Sequence, residues 1–262
     1  MKLTNDKPML GGHWYHIDGT SQHTVIDKQG LPRATTLRDA RKLNLFPSVS
    51  GILGVLAKPG LEKWRVTQGI LAALTLPRLP NESDDSFAAR VAEDADAQMY
   101  AAMDFGTALH KAIQETNLDH HGNCDPPLVP WMEHYCAWRK ANIVRVIDAE
   151  RTVVVPEAGY AGTFDLLAEH QQHGTCLIDF KSQGIKEGGK HSVYDTWCYQ
   201  LAAYRAAIGI KCHCLSVIMD SNKPSAPIEH LWSEEEINDG LSIFTRCLEI
   251  WQISKGYKPR TP

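Results

Sequence analysis

The sequence predicts an α/β protein of the α+β kind: a central mixed β-sheet flanked by helices, preceded by a mostly helical N-terminal elaboration. Three observations point there. The hydrophobic period changes from helical to extended near residue 144. Three extended runs then follow with short turns between them, Val144–Val155, Gly159–Ala168 and Thr175–Lys181, as consecutive hairpin strands would. A helical run, Tyr194–Ile208, separates these from a fourth strand, Cys212–Asp220, and a crossover of that length makes a sheet mixed.

The elements before residue 144 read in order as follows. Residues 11–45 form an irregular arm in which Trp14–Ile17 and His23–Ile26 flank the turn signal Asp18-Gly19 as a hairpin would. Ser48 or Ser50 caps a short helix carrying Ile52, Leu53, Val55 and Leu56, and Pro59 ends it. A second helix spans about Leu61–Leu74. The stretch Pro77–Asp85 is a polar loop and the expected domain boundary, giving an elaboration over 1–83 and a core over 84–262. A long helical pattern covers Asp84–Asn117, with a break expected before Gly106. Pro126-Pro127 introduces another helix, about Leu128–Ile143. Beyond the strands, Gly184–Gly189 is a flexible loop, and Ser233–Ile253 is a closing helix with Glu234, Glu235 and Glu236 in its first turn, where acidic side chains suit the dipole.

Composition sets outer bounds. The chain has 262 residues and a net charge of -4, which excludes a basic tail-type nucleic-acid binder but not a local basic groove. Its 7 cysteines are scattered without paired CxxC spacing, so a reducing, cytoplasmic setting is expected rather than a disulfide framework. The first residues lack the apolar stretch of a signal peptide, and no run has the roughly 20 apolar residues of a spanning helix. There is no P-loop and no GxGxxG.

The chemistry concentrates between residues 106 and 204. Asp179 and Lys181 stand two apart on a strand and share a face, while Ile178 and Phe180 point to the other. If Asp165 lies across from Asp179, the two carboxylates converge and need a cation, and hard oxygen ligands suit Mg2+ or Mn2+. Lys181 beside them would position a water or stabilise charge on a phosphate. An ordinary surface ion pair is the other reading of Asp-x-Lys taken alone; the company of Asp165, His110 and the following helix argues against it. On that helix Gln200 and Tyr204 are four apart, with Trp197 near the same face, and packing of an interior tyrosine beside a half-buried glutamine remains open. His110 follows Gly106 by one helical turn. Glu150, taken to begin the first strand, is a further candidate ligand, with Glu157 as its competitor in a turn. His120-His121-Gly-Asn-Cys124 has zinc-ligand types but no second half. Cys212-His213-Cys214 alternates on a strand and reads as core packing.

These residues, Gly106-x-x-x-His110, Gly162-Thr-Phe-Asp165, Asp179-Phe-Lys181 and Gln200-x-x-x-Tyr204 in this order, resemble the PD-(D/E)XK nuclease superfamily, whose core is restriction-endonuclease-like. More narrowly they resemble its RecB-like exonuclease branch. Pro47-Ser-Val-Ser-Gly-Ile-Leu and Lys58-Pro-Gly-Leu-Glu-Lys-Trp64 look like the N-terminal part of phage-encoded exonucleases related to the mitochondrial genome-maintenance exonuclease. The resemblance implies a metal-dependent deoxyribonuclease acting in recombination, replication or repair. It implies metal ligation by His110, Asp165, Asp179 and the main-chain carbonyl of Phe180, catalysis by Lys181, and ordering of site and DNA by Gln200 and Tyr204. Thr107, Ser182, Trp197 and, by stacking on a base, Trp64 are expected to assist. Asp179 stands where the family usually has Glu. The cysteines do not follow the branch's four-cysteine iron–sulfur pattern, so no cluster is expected. DNA is the expected partner, together with a strand-annealing or recombination protein. A nicking endonuclease and a non-catalytic DNA-binding module are the rival readings.

Overall fold

The computed structural model describes residues 12–118, 124–185 and 187–261. Five strands form its central sheet: β5 (Ile143–Val155), β6 (Tyr160–His170), β7 (Gly174–Gln183), β8 (His213–Asp220) and β9 (Ile228–Trp232), in that spatial order. The pairs β5–β6, β6–β7 and β8–β9 are antiparallel, and β7–β8 is parallel, so the sheet is mixed as the sequence predicts. The parallel step is made by the crossover helix α6 (Asp195–Ile208). β9 was not foreseen, because Pro224 and Pro227 make its approach read as loop.

Helices cover both faces through side chains that the strand pleat deals alternately. Phe180 points to one face and meets Tyr135 and Trp138 of α5 (Val129–Asn142) edge-on, at 5.5 and 6.1 Å. On the other face the hydroxyl of Tyr160 donates to the carbonyl of Ala203 on α6 (3.1 Å). The closing helix α7 (Glu234–Lys255) opens with a reciprocal cap between Ser233 and Glu236 and packs on α6, where Gly240 admits Cys198 and Ala202. Cys212 and Cys214 are buried and His213 is exposed, the alternation expected of a core strand.

The N-terminal arm joins this sheet-bearing unit. β1 (Trp14–Tyr15) pairs with β4 (Phe46–Pro47), and β2 (Thr24–Ile26) pairs with β3 (Pro32–Ala34). The Asp18-Gly19 turn closes a short hairpin, with a Tyr15–Ser21 bridge and the N–H groups of His16 and Gln22 donating to the carbonyls of Thr20 and Trp14, while Thr24–Ile26 pairs onward with β3. Trp14 and Tyr15 are both buried, and the ring of Tyr15 packs with Phe46 and Ala161; that burial holds β1 on β4. α1 (Leu37–Leu43), capped by Thr36, precedes β4, and α2 (Val49–Leu53), capped by Ser48, follows it.

A second compact unit spans Leu56–Leu109. It holds α3 (Pro59–Thr75) and most of α4 (Asp84–Asn117), so the loop expected as a domain boundary lies inside it. Within it Arg90 donates to the carbonyl of Pro77 (2.9 Å), and the guanidinium of Arg78 lies 4.7 Å from the centre of the Phe87 ring. α4 runs unbroken through Gly106, against the break expected there; one glycine costs only about 1 kcal/mol in an alanine-rich helix. Among the described residues, no helix is long and apolar enough to cross a membrane.

Candidate active site

The β6–β7 ladder pairs Leu166 with Ile178 and ends there, which leaves Asp165 and Asp179 in register just beyond the last pair. The strands diverge at this point, and Asp165 Oδ2 accepts the freed N–H of Phe180 at 2.7 Å. A strand residue's N–H and carbonyl point to the same side, so the Phe180 carbonyl is directed toward Asp165 as well. The parallel partner strand holds β7 from the other side, with Asp179 on Ser216 and Lys181 on Ile218. Chain divergence thus creates a polar notch inside an otherwise apolar sheet.

Lys181 closes this notch. Its Nζ lies 2.7 Å from Asp179 Oδ2 and donates to Gln200 Oε1 at 3.1 Å. That oxygen is buried, and the ammonium beside it offsets part of its charge. Gln200 in turn bonds the hydroxyl of Tyr204, and burial raises the Tyr204 pKa, so the phenol stays protonated. Tyr204 lies against Gly162, where no side chain would fit. The chain Tyr204, Gln200, Lys181, Asp179 therefore fixes the lysine from behind.

Glu150 completes the acidic group from the neighbouring strand. Ala149 pairs with Leu166 and Arg151 with Phe164, so Glu150 falls opposite Asp165. It takes a left-handed φ of 52°, a rare conformation for a non-glycine residue inside a strand. Glu150 therefore lies in the middle of β5, not at its start, and Glu157 is exposed in the turn that follows.

Three acidic side chains with one ammonium leave the site short of positive charge. Burial pushes Glu150 up to about 7, aided by the charge of Asp165. Burial likewise pushes Asp179 up to about 6, with Lys181 opposing and Asp165 reinforcing. Asp165 is also raised by burial, against the pull of Lys181 and the Phe180 N–H. The Nδ1 of His110 stands 3.9 Å from Asp165 Oδ2, and burial with the nearby Lys181 lowers its pKa, which favours the neutral, ligand-competent imidazole.

Whether this set suits a divalent cation is decided by its donors. Among the described residues no three His, Cys, Asp or Glu side chains form a ready-made metal cluster. The buried carboxylates of Asp165 and Asp179 and their raised pKa values nevertheless fit a hard cation, which would supply the missing charge.

Glu150, Gln200 and Tyr204 border a cleft of about 550 Å³ together with Thr152 and Thr163 of the sheet; its further lining includes His13, Tyr15, His23, Ser48, Ser50 and Gln114. None of the second group was foreseen as a site residue. Gln114 was accessible from spacing, one turn after His110 on α4; the arm residues were not, because only folding brings them to β6. The hydroxyl of Thr163 joins the walls, donating to Tyr15 (3.3 Å) and bonding Thr152 (2.9 Å).

Other expected site residues lie elsewhere. Ser182 alternates onto the Phe180 face, away from Lys181. Trp197 is half-buried and meets Tyr194 edge-on at 5.1 Å, outside the cleft lining. Thr107 and the half-buried Trp64 belong to the second unit. The His120-His121 motif lies outside the described residues.

No protein-family model and no curated protein matches the sequence. Among solved structures the chain is similar to a proposed exonuclease from Eubacterium rectale, at 8% identity and TM-score 0.41, covering 58% of this chain and 68% of that one. It is also similar to an alkaline exonuclease from Laribacter hongkongensis, at 14% identity and TM-score 0.29, covering 74% and 98%. The same enzyme in complex with dAMP gives a TM-score of 0.34 at 14% identity, covering 75% and 95%.

Proposed function

We propose that this chain is a Mg2+- or Mn2+-dependent DNA exonuclease that hydrolyses phosphodiester bonds from free ends, as in recombination, replication or repair of phage type. One observation carries the reading: two buried carboxylates on diverging strands, Asp165 and Asp179, with the Lys181 ammonium 2.7 Å from Asp179 and held by Gln200, which itself borders a cleft.

The cation would be held by Asp165, Asp179, the Phe180 carbonyl and His110, and when bound it supplies Lewis-acid polarisation of a phosphate oxygen and offsets the acidic charge. Lys181, held by Gln200, presents its remaining protons to the attacking water and to a phosphate oxygen. Glu150, with a pKa near 7, can take the proton that the water loses. Water oxygen bonds to phosphorus as its proton passes to Glu150, the P–O3′ bond breaks, and the leaving O3′ takes a proton from solvent, so the products are a 5′-phosphate and a 3′-hydroxyl.

The test compares end-labelled linear single- and double-stranded DNA with a circular single strand, each with Mg2+, Mn2+ or EDTA. The proposal expects metal-dependent loss of label from linear DNA and an intact circle. A cut circle would make the chain an endonuclease. Bound but uncut DNA under every metal would make it a binding module.

A further inference from the structure

The cleft that Glu150 borders also carries an aromatic stack that the proposed chemistry does not use. His13 and His23 lie face to face, ring centroids 4.5 Å apart and planes at 21°. Behind them Tyr15 meets His23 edge-on, at 5.1 Å and 86°. The inner ring is fixed. His23 Nδ1 accepts the N–H of Trp14 at 3.1 Å, which sets its rotation and leaves the proton of the neutral ring on Nε2. Tyr15 is buried and receives the hydroxyl of Thr163, two residues before Asp165, so the stack is tied to the strand that carries the acidic site.

The outer ring is open. His13 is exposed, and among the described residues no hydrogen-bonding group takes either of its ring nitrogens. Partial burial lowers the pKa of both rings, and for His23 the neighbouring His13 adds to the effect, so the pair is neutral at pH 7. A neutral ring pair suits a phosphate poorly and an uncharged flat group well. Both rings line the same cleft as Glu150, Gln200 and Tyr204.

We infer that His13 is a stacking platform for a nucleobase, receiving the base of a nucleotide whose phosphate lies at the carboxylate notch. This deepens the nuclease reading and rests on it. Stacking on histidine tolerates any base, because every base has a π-face. The ledge therefore adds hold on a single strand without adding sequence preference.

The test uses short single-stranded oligonucleotides carrying 2-aminopurine at each of the terminal positions in turn, in EDTA so that nothing is cut. Controls carry an abasic site at the same position. At one position wild type should quench the 2-aminopurine and bind it about 5- to 100-fold tighter than the abasic control, the range of one base–aromatic stack. His13→Ala should lose both effects with an unchanged melting temperature, and His13→Phe should restore them. Equal affinity of wild type for base and abasic strands overturns the ledge, as does a preference that survives in His13→Ala. A strand that is bound with a quenched base yet never cut in Mg2+ or Mn2+ supports the ledge and overturns the nuclease reading alone.

Discussion

Tyr204 is packed so closely on Gly162 that a Cβ at Gly162 would lie 2.7 Å from its Cε1 and 2.9 Å from its hydroxyl. The glycine of the Gly-Thr-Phe-Asp motif thus serves a tyrosine 42 positions away in the Gln-x-x-x-Tyr motif. Gly162→Ala should displace Tyr204, loosen Gln200, and lower turnover about 10- to 100-fold through misplacement of Lys181. Steady-state digestion beside a thermal melt checks this. A loss of melting temperature with unchanged turnover of the folded fraction would make the contact purely structural.

Lys181 is held between Asp179 and Gln200, at 2.7 and 3.1 Å. Lys181→Ala should lower turnover by about 10²- to 10³-fold, the size expected for a charge aimed at the transition state, while DNA affinity changes far less. Lys181→Arg should not recover the activity, because a planar fork cannot occupy the position of a compact ammonium. Full activity of the arginine variant would show that only the charge matters and not its placement.

Asp179 and Glu150 have folded pKa values raised above those of an unfolded chain, so the folded state binds more protons between about pH 4 and 7. Stability of the metal-free protein is therefore greatest below pH 4 as far as these groups are concerned. It falls as pH rises from about 4 to 7, where the folded state gives up its extra protons, and levels off above that. Mg2+ or Mn2+ should raise the melting temperature more at pH 8 than at pH 5. A metal effect that is the same at both values would place the bound cation elsewhere.

Glu150 combines a left-handed backbone with a carboxylate facing Asp165. Glu150→Gln removes the like-charge repulsion while keeping the shape. Its expected result is a higher melting temperature without metal at pH 8, together with lower turnover. A variant that melts lower and digests normally would show the residue to be structural.

The sheet was legible because its signals are local. The alternation around Asp179-Phe-Lys181 places two side chains on one face and Phe180 in the α5 packing, as found. Asp165 opposite Asp179 was readable as soon as both strands were assigned to one hairpin. The arm was not readable, because Tyr15 reaches the site through burial against Phe46 and Ala161, contacts far apart in sequence. Glu150 was named but misplaced, since a left-handed residue within a strand leaves no mark in hydrophobic alternation. Ser182 was chosen for adjacency to Lys181, which in a strand puts it on the wrong face. His13 and His23 look like unremarkable turn-flanking residues until the Asp18-Gly19 turn brings their rings together.

The central claim, that Asp165 and Asp179 assemble a metal-dependent phosphodiesterase site, is tested most directly by release of nucleotide from linear DNA by wild type beside Asp179→Asn. Both proteins would be assayed with Mg2+, Mn2+ or EDTA. The account predicts release by wild type with either metal, none in EDTA, and at least a 10²-fold loss in the variant, which keeps the side chain's shape but removes its charge. Equal release by both proteins, or release that persists in EDTA, would contradict it.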